Sequence, residues 1–420
     1  MDLMNYCEPV LANTPQVGII DYGFNPRHPA FALPNGGSAL EVFDQSNQPV
    51  DSDPIDVDPA RTTYREVDHG TYIAAIIGAR PRPGQMVGLL PTAMLFGVPL
   101  NSLAEAQEPL DFLRIFNVSL GEAGAVGGPL SGVDDLEEMI STQRLKLFVL
   151  SAGNENKVIP KKALAAQGIM ENVIVVGATN VPEVDANNQR PSRSVLALPN
   201  GQGSNRHPFF VGLMAPGEKI KSALLNGQYG VADGTSEAAA FVSGGAAALM
   251  ALEPRWSAWQ VKFRLIATAN LWTGTPLSDA VLAGEFNFQR ALADRDAVVI
   301  ERQTEQGLCR GDIDPTSLAQ TMVVKQGLKP NKVKWNQVLR IKRDSPTGTE
   351  YTIIYYAINE LPDRENRQLL RLTKVTTEQL LENDKFIFIP RDPDKCKGGT
   401  LSIFDVLDFI NKGPFVVGAN

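Results

Sequence analysis

The chain has 420 residues, 43% hydrophobic and 20% charged, with a net charge of −8. At roughly 150 residues per domain this length predicts two to three domains, and the balance excludes a disordered chain. No run matches the ~18–20 consecutive apolar residues of a membrane span; the best stretch, Phe241–Leu252, is short and rich in Gly and Ala.

Met1–Gln16 has no Lys or Arg and no apolar core, so it does not read as a Sec-type signal peptide. Short apolar runs follow at Val17–Ile20, Met94–Pro99, Ile115–Ser119, Leu147–Leu150, Val173–Val176 and Val211–Met214. Their continuous hydrophobicity predicts strands buried on both faces, as in a parallel sheet. Ile73, Ile76 and Ile77 share one helical face, and Ala238, Val242, Gly245 and Leu249 share another. The expected fold is therefore a doubly wound α/β domain. Residues 34–68 hold eight acids against two arginines, including Asp51, Asp53, Asp56 and Asp58. Such carboxylates suit a structural calcium ion, but their spacing fits no calcium-loop motif, and the segment reads as a solvated acidic insertion. Glu183–Pro208, rich in Asn, Pro, Ser and Arg, reads as a long surface excursion.

Residues 1–299 carry 21 basic and 31 acidic side chains, whereas residues 300–420 carry 18 and 16. The shift places a domain boundary near residue 300, giving an α/β domain over 1–299 and a smaller α+β domain over 300–420. In the latter, Val333–Lys342 and Tyr351–Ile358 flank a turn at Asp344–Gly348, Phe386–Ile389 is a further strand, and Ile403–Ile410 a short helix. Lys325, Lys329, Lys332, Lys334, Arg340, Lys342 and Arg343 form an acid-free stretch, read as a solvated hairpin face rather than a regulatory-partner or nucleic-acid patch. The acidic first part also disfavours nucleic acid. Cys7, Cys309 and Cys396 are too few and too scattered for a disulfide framework or a Cys-based zinc site.

Four polar signals stand at the ends of apolar elements. Asp21 closes the first strand, at the carboxyl edge where open α/β sheets build their sites. Asp68–His69–Gly70–Thr71 precedes a helical pattern over Tyr72–Ala79. Ser151–Ala152–Gly153–Asn154 follows a buried strand, and Asp233–Gly234–Thr235–Ser236 opens a helix of small residues. Each alone has a plain structural reading: a turn, a helix start, a loop amide, an N-cap. Together they are the parts of a serine-nucleophile site, because Ser needs an imidazole to take its proton and the imidazole needs a carboxylate to fix its tautomer.

These segments resemble those of subtilisin-like serine proteases, the subtilases, in which the chain order is also Asp, His, Ser. Val17–Gly23 with His28–Pro29 resembles the aspartate motif, His69–Thr71 the histidine motif and Gly234–Ser236 the serine motif. Asn117–Gly121 resembles the substrate-binding strand, and Ser151–Asn154 the oxyanion motif. The similarity runs from about residue 15 to residue 295. It implies a subtilisin-like fold and a serine endopeptidase with Asp21, His69 and Ser236 as catalytic residues and Asn154 in the oxyanion hole. Ser119, Leu120, Gly121, Ser151, Ala152 and Gly153 would bind an extended protein or peptide substrate, with no cofactor required. Only 16 residues precede the first strand, which leaves no room for the family's pro-domain and makes the cytoplasm the expected location; signal-independent export is the other possibility.

Three positions depart from the family pattern: Glu237 replaces the hydrophobic residue after the nucleophile, Ala240 a proline, and Tyr72 a histidine. Glu155 and Lys161–Lys162 fall in the segment that resembles the specificity-pocket wall. The alternative is a catalytically silent scaffold that binds protein segments. An esterase of the α/β-hydrolase type is disfavoured by the lack of G-x-S-x-G, and a nucleotide enzyme by the lack of a phosphate-binding glycine loop.

Overall fold

Each of the six apolar runs becomes a strand, because a continuous apolar segment can hide both faces only inside a covered sheet. The computed structural model describes residues 14–43, 64–100, 111–120, 134–159, 171–181, 194–224, 227–272, 279–293, 298–304, 307–313, 321–326, 329–334, 337–345, 348–361, 364–376, 379, 385–394, 396–402, 406 and 408–411. Asp51, Asp53, Asp56, Asp58, Gly121 and Lys161–Lys162 lie outside the described residues. The chain divides into two compact units, Met1–Lys262 and Phe263–Asn420.

In the first unit the strands are β1 (Gln16–Asp21), β2 (Leu40–Val42), β3 (Met94–Pro99), β4 (Ile115–Val118), β5 (Leu147–Ser151), β6 (Val173–Thr179) and β7 (Val211–Pro216). They run parallel in the order β7-β6-β5-β4-β1-β3-β2. β1 thus lies inside the sheet, between β4 and β3, with Val17, Ile19 and Ile20 fully buried. The short edge strand β2 has no counterpart among the apolar runs. Among the described residues, α1 (Tyr64–Gly78), α2 (Asp134–Thr142) and α3 (Thr235–Leu252) accompany the sheet. α3 packs on β4 to β7 and on α1, and its alanines and glycines permit that close approach. By length and composition α3 is apolar enough to cross a membrane, but 83% of it is buried inside the protein, as befits a core helix.

An antiparallel hairpin, β8 (Ile220–Ala223) and β9 (Tyr229–Ala232), leads into α3. His28 ties it to the loop after β1. Its Nδ1 accepts from the Ala30 N–H at 3.0 Å, so the proton resides on Nε2, which lies 3.1 Å from the Gln228 carbonyl. The ring also meets Tyr229 edge-on, with centroids 5.3 Å apart.

In the second unit, β10 (Asn270–Leu271) and β11 (Gly284–Glu285) pair antiparallel, and strands β12 (Val298–Thr304), β13 (Gly307–Ile313), β16 (Val338–Arg343), β17 (Glu350–Leu361), β18 (Arg364–Thr376), β19 (Lys385–Pro390), β20 (Gly399–Ser402) and β21 (Asp408–Asn411) form one sheet. Its order is β18-β17-β16-β21-β12-β13-β19-β20, and every neighbouring pair is antiparallel. β14 (Thr321–Gln326) and β15 (Lys329–Lys334) make a separate hairpin. The short helix expected over Ile403–Ile410 is not formed at its described end. Asp408–Asn411 is a strand there, because pairing with both β12 and β16 outweighs the local helical pattern.

Two buried arginines explain why the chain from Phe263 onward groups with this sheet. Arg340 grips Asp408 with two 2.6 Å bonds and donates to the carbonyls of Ala267 at 2.7 Å and Ala269 at 2.8 Å. Those carbonyls end the helix Ala258–Thr268, where they have no intrahelical donor. Arg371 likewise donates to the carbonyls of Val281, Leu282 and Trp272. Arg340, Lys342 and Arg343 therefore do not belong to a solvated basic face. Arg340 is buried, Lys342 reaches the Leu271 carbonyl, and Arg343 bonds the Tyr351 hydroxyl. The cysteine expectation also changes: Cys309 and Cys396, 87 residues apart, form a disulfide within the core of this unit. The pairing of β13 with β19 brings the two cysteines together, which no spacing rule reveals.

Two outcomes follow. Removing one partner of a buried ion pair costs about 3–5 kcal/mol, so Asp408→Ala should lower the denaturant midpoint of the second unit sharply. Adding Arg340→Met should cost much less than it does alone, since the coupling is already lost; strictly additive losses would refute it. Burial first, and then Arg82, hold the His28 pKa below its ordinary 6.5, against the raising effect of the Gln228 bond. The unfolded chain then binds the proton before the native state does, so stability present above about pH 6.5 should fall as the pH drops below it. Thermal unfolding across that range should show a shallower decline in His28→Gln.

Candidate active site

Asp21 is the last residue of β1 and is fully buried. A carboxylate there demands partners. Its Oδ1 accepts from the Tyr22 N–H at 2.7 Å, and Oδ1 and Oδ2 lie 2.7 and 2.8 Å from Nδ1 of His69. Two residues 48 positions apart in sequence are thus in direct contact. His69 is not at a helix start, as expected, but inside α1, which begins five residues earlier at Tyr64.

The loop after β1 clamps that helix. Thr71 donates its N–H to the Gly23 carbonyl at 3.0 Å and its hydroxyl to the same carbonyl at 2.9 Å, while Asn25 N–H bonds Thr71 Oγ1 at 2.9 Å. Gly70 N–H bonds the Tyr22 carbonyl. A methyl group on Gly70 would stand 2.7 Å from that carbonyl oxygen and 2.6 Å from the Phe24 ring, so only glycine allows this approach. Tyr72 joins α1 to the following hairpin, its hydroxyl donating to the Ile220 carbonyl while its own carbonyl accepts from Ser222 Oγ at 2.6 Å.

Ser236 is the second residue of α3, and Gly234, not Ser236, occupies the N-cap. The serine hydroxyl is therefore not spent on capping. Its Oγ lies 3.3 Å from the Ser119 carbonyl, to which it donates. Ser119 Oγ is 2.8 Å from Asn117 Oδ1 and 3.2 Å from the Ser236 carbonyl, and Asn117 Nδ2 donates to Ser243 Oγ at 2.9 Å. This buried polar ladder fixes the start of α3 against the end of β4. Asn117 and Ser243 were not singled out from sequence for this role; an Asn in an otherwise apolar strand was the available signal.

Asn154 follows β5. Its Oδ1 accepts from the N–H of Thr235 at 2.9 Å and lies 3.1 Å from Thr235 Oγ1. The amide proton of Thr235 requires an oxygen opposite it, so the Asn154 carboxamide is oriented with Nδ2 turned away from Thr235. Thr235 Oγ1 also accepts from Gly153 N–H at 3.1 Å, and the Gly153 carbonyl accepts from Asn205 N–H at 2.9 Å. Ser151 is buried at the end of β5, and Ala152 N–H bonds the Val176 carbonyl. Glu155 Oε2 contacts Asn205 Nδ2, whose carboxamide oxygen accepts from Lys157 N–H. Among the described residues, no group of three or more His, Cys, Asp or Glu is placed to hold a metal ion.

Asp21, Ser119 and Asn154 thus end three adjacent strands at one edge of the sheet, with His69 bonded to the first and the start of α3 bonded to the other two. The sequence and the fold both have similar counterparts among known proteins. The sequence is 29% identical over 268 residues to Subtilisin amylosacchariticus from Bacillus subtilis subsp. amylosacchariticus, covering 60% of this chain and 60% of the relative. Subtilisin J from Geobacillus stearothermophilus matches to the same extent, so the matched stretch spans about three-fifths of these relatives. The fold is similar to that of the A-subunit of the AB5 toxin from E. coli, at 24% identity and a TM-score of 0.51 over 70% of this chain and 97% of that one. The subtilase family model matches residues 12–302, more than half the chain. With that match and the motifs in place on a parallel sheet, the chain belongs to the subtilase family.

Proposed function

We propose that the chain is a serine endopeptidase that cleaves extended segments of protein or peptide. The observation that carries this reading is the buried Asp21 carboxylate set against Nδ1 of His69 by both oxygens. This holds the proton on Nδ1 and leaves Nε2 as the nitrogen that accepts one. Ser236 Oγ attacks the scissile carbonyl as His69 Nε2 takes its proton. The C–N bond breaks as the same proton passes to the leaving amine, and water then releases the acyl group by the reverse sequence. Asp21 stabilises the imidazolium meanwhile. Asn154 Nδ2 and the Ser236 N–H, near the start of a helix, supply donors for the oxyanion. Backbone groups of Ser119–Gly121 pair with the substrate as an added strand, which selects unfolded segments.

The silent-scaffold reading draws support from Glu237 alone. A segment-binding groove has no need of a buried carboxylate aligned on an imidazole, or of a carboxamide held in one orientation by Thr235.

A fluorophosphonate probe, read by intact mass, should add one label to the wild type and none to Ser236→Ala or His69→Ala. A folded wild type that takes no label would refute the assignment. Asn154→Ala should keep the fold and lower the labelling rate by about 10²–10³, the loss measured when such a donor is removed from subtilisin. An unchanged rate would remove Asn154 from the oxyanion hole.

A further inference from the structure

Among the described residues, β8 and β9 form a sheet of two strands that pair with each other. A two-stranded ribbon is marginal by itself in water, so side chains from other elements must fix its place. Its two ends are tied to the elements that carry Asp21 and His69. Next to the turn, the Gln228 carbonyl lies 3.1 Å from Nε2 of His28, in the loop that follows Asp21. At the open end Tyr72 reaches across from α1, three residues beyond His69 and so about one helical turn along the same side.

The Tyr72 hydroxyl donates to the Ile220 carbonyl on β8 and lies 3.5 Å from the Gly230 carbonyl on β9, so one side chain faces both strands. The Tyr72 carbonyl in turn accepts from Ser222 Oγ at 2.6 Å, and both residues are buried. From Ala232 the chain passes through Asp233, Gly234 and Thr235 to Ser236. That short run is fastened to the residues before β8. Gly234 N–H donates to the Gly217 carbonyl at 2.8 Å, and Asp233 Oδ1 accepts from Lys219 N–H at 2.5 Å. A shift of the ribbon is thereby passed to the first turn of α3.

Resting on the peptidase reading above, we infer that Tyr72 is a positioning residue for the reaction. By holding the β8–β9 ribbon to α1, it sets the distance between the His69 imidazole and the Ser236 hydroxyl. It acts through the ribbon and takes no part in the proton transfer. Tyrosine stands here where the family pattern has histidine. Its hydroxyl lies farther from the backbone than either imidazole nitrogen, so the ribbon is held at a reach that an imidazole does not have.

The test is fluorophosphonate labelling of the full chain between about pH 5 and about pH 9, expressed as a rate per folded molecule. It compares wild type, Tyr72→Phe and Ser222→Ala, with Ser236→Ala as the blank. Tyr72→Phe removes one oxygen and keeps the ring. A misplacement of about 1 Å can cost about 10² in rate, so the plateau at high pH should fall by about tenfold or more. The midpoint of the pH profile should stay in place, because the contact of Asp21 with His69 joins β1 to α1 without passing through the ribbon. Ser222→Ala, which cuts a second bond between α1 and β8, should lower the plateau likewise. It decides the matter if thermal unfolding shows that the Phe variant does not fold. An unchanged plateau overturns the inference, because a residue that only stabilises the fold does not alter the rate of the folded molecule. A displaced midpoint also overturns it, since the loss would then run through the carboxylate contact of His69. Wild type that labels beside an equally reactive Phe variant refutes the positioning role alone. No label on any of the folded proteins refutes the peptidase reading and this inference with it.

Discussion

The first unit is organised around one buried negative charge. Asp21 ends an interior strand with no exposed surface, and a carboxylate in that position is tolerable only if its oxygens are bonded. The Tyr22 amide and the His69 ring meet that demand. The requirement in turn dictates how closely α1 must approach the loop after β1. Gly70, Thr71 and the carbonyls of Tyr22 and Gly23 are the means by which it does so. A misplacement of that helix would strand a charge in the interior, so the packing of the domain and the alignment of its imidazole are enforced by the same penalty.

The second unit solves a related problem with the opposite charge. A helix ending beside a sheet presents bare carbonyls, and here Arg340 covers those at Ala267 and Ala269, while Arg371 does the same for loop carbonyls at Val281 and Leu282. Each fork has more donors than one carboxylate can accept, so a single arginine serves both an acid and a helix end. The end of the helix Ala258–Thr268, inside the family match, is thereby bonded to Arg340 on a strand beyond it.

Much of the fold could be read from residues because the signals were local. Unbroken apolar runs such as Leu147–Leu150 and Val173–Val176 mean covered strands wherever they occur, and the small residues of α3 announce close helix–sheet packing. The polar residues of the site were readable as types, but not their bonds. Nothing local says that Thr235 orients Asn154, or that Asn117 and Ser243 brace Ser119. The misreadings share a cause. A strand at Asp408–Asn411, a disulfide across 87 residues and a buried Arg340 inside a basic run all depend on partners far away in sequence. α1 starts eight residues before the expected Tyr72, and the cap of α3 lies at Gly234, two residues before Ser236: Ser is a good cap in isolation, but glycine is preferred where backbone and side chains crowd together.

The Cys309–Cys396 bond encloses the β14–β15 hairpin and the whole of β16 to β19 within a covalent ring. One backbone cut anywhere in that ring opens a loop but releases nothing. The two pieces stay joined through sulfur and keep their places in a common core. This has a practical meaning for detecting damage: a single cut by any protease inside the ring changes the mass by one water, and the break shows only after reduction.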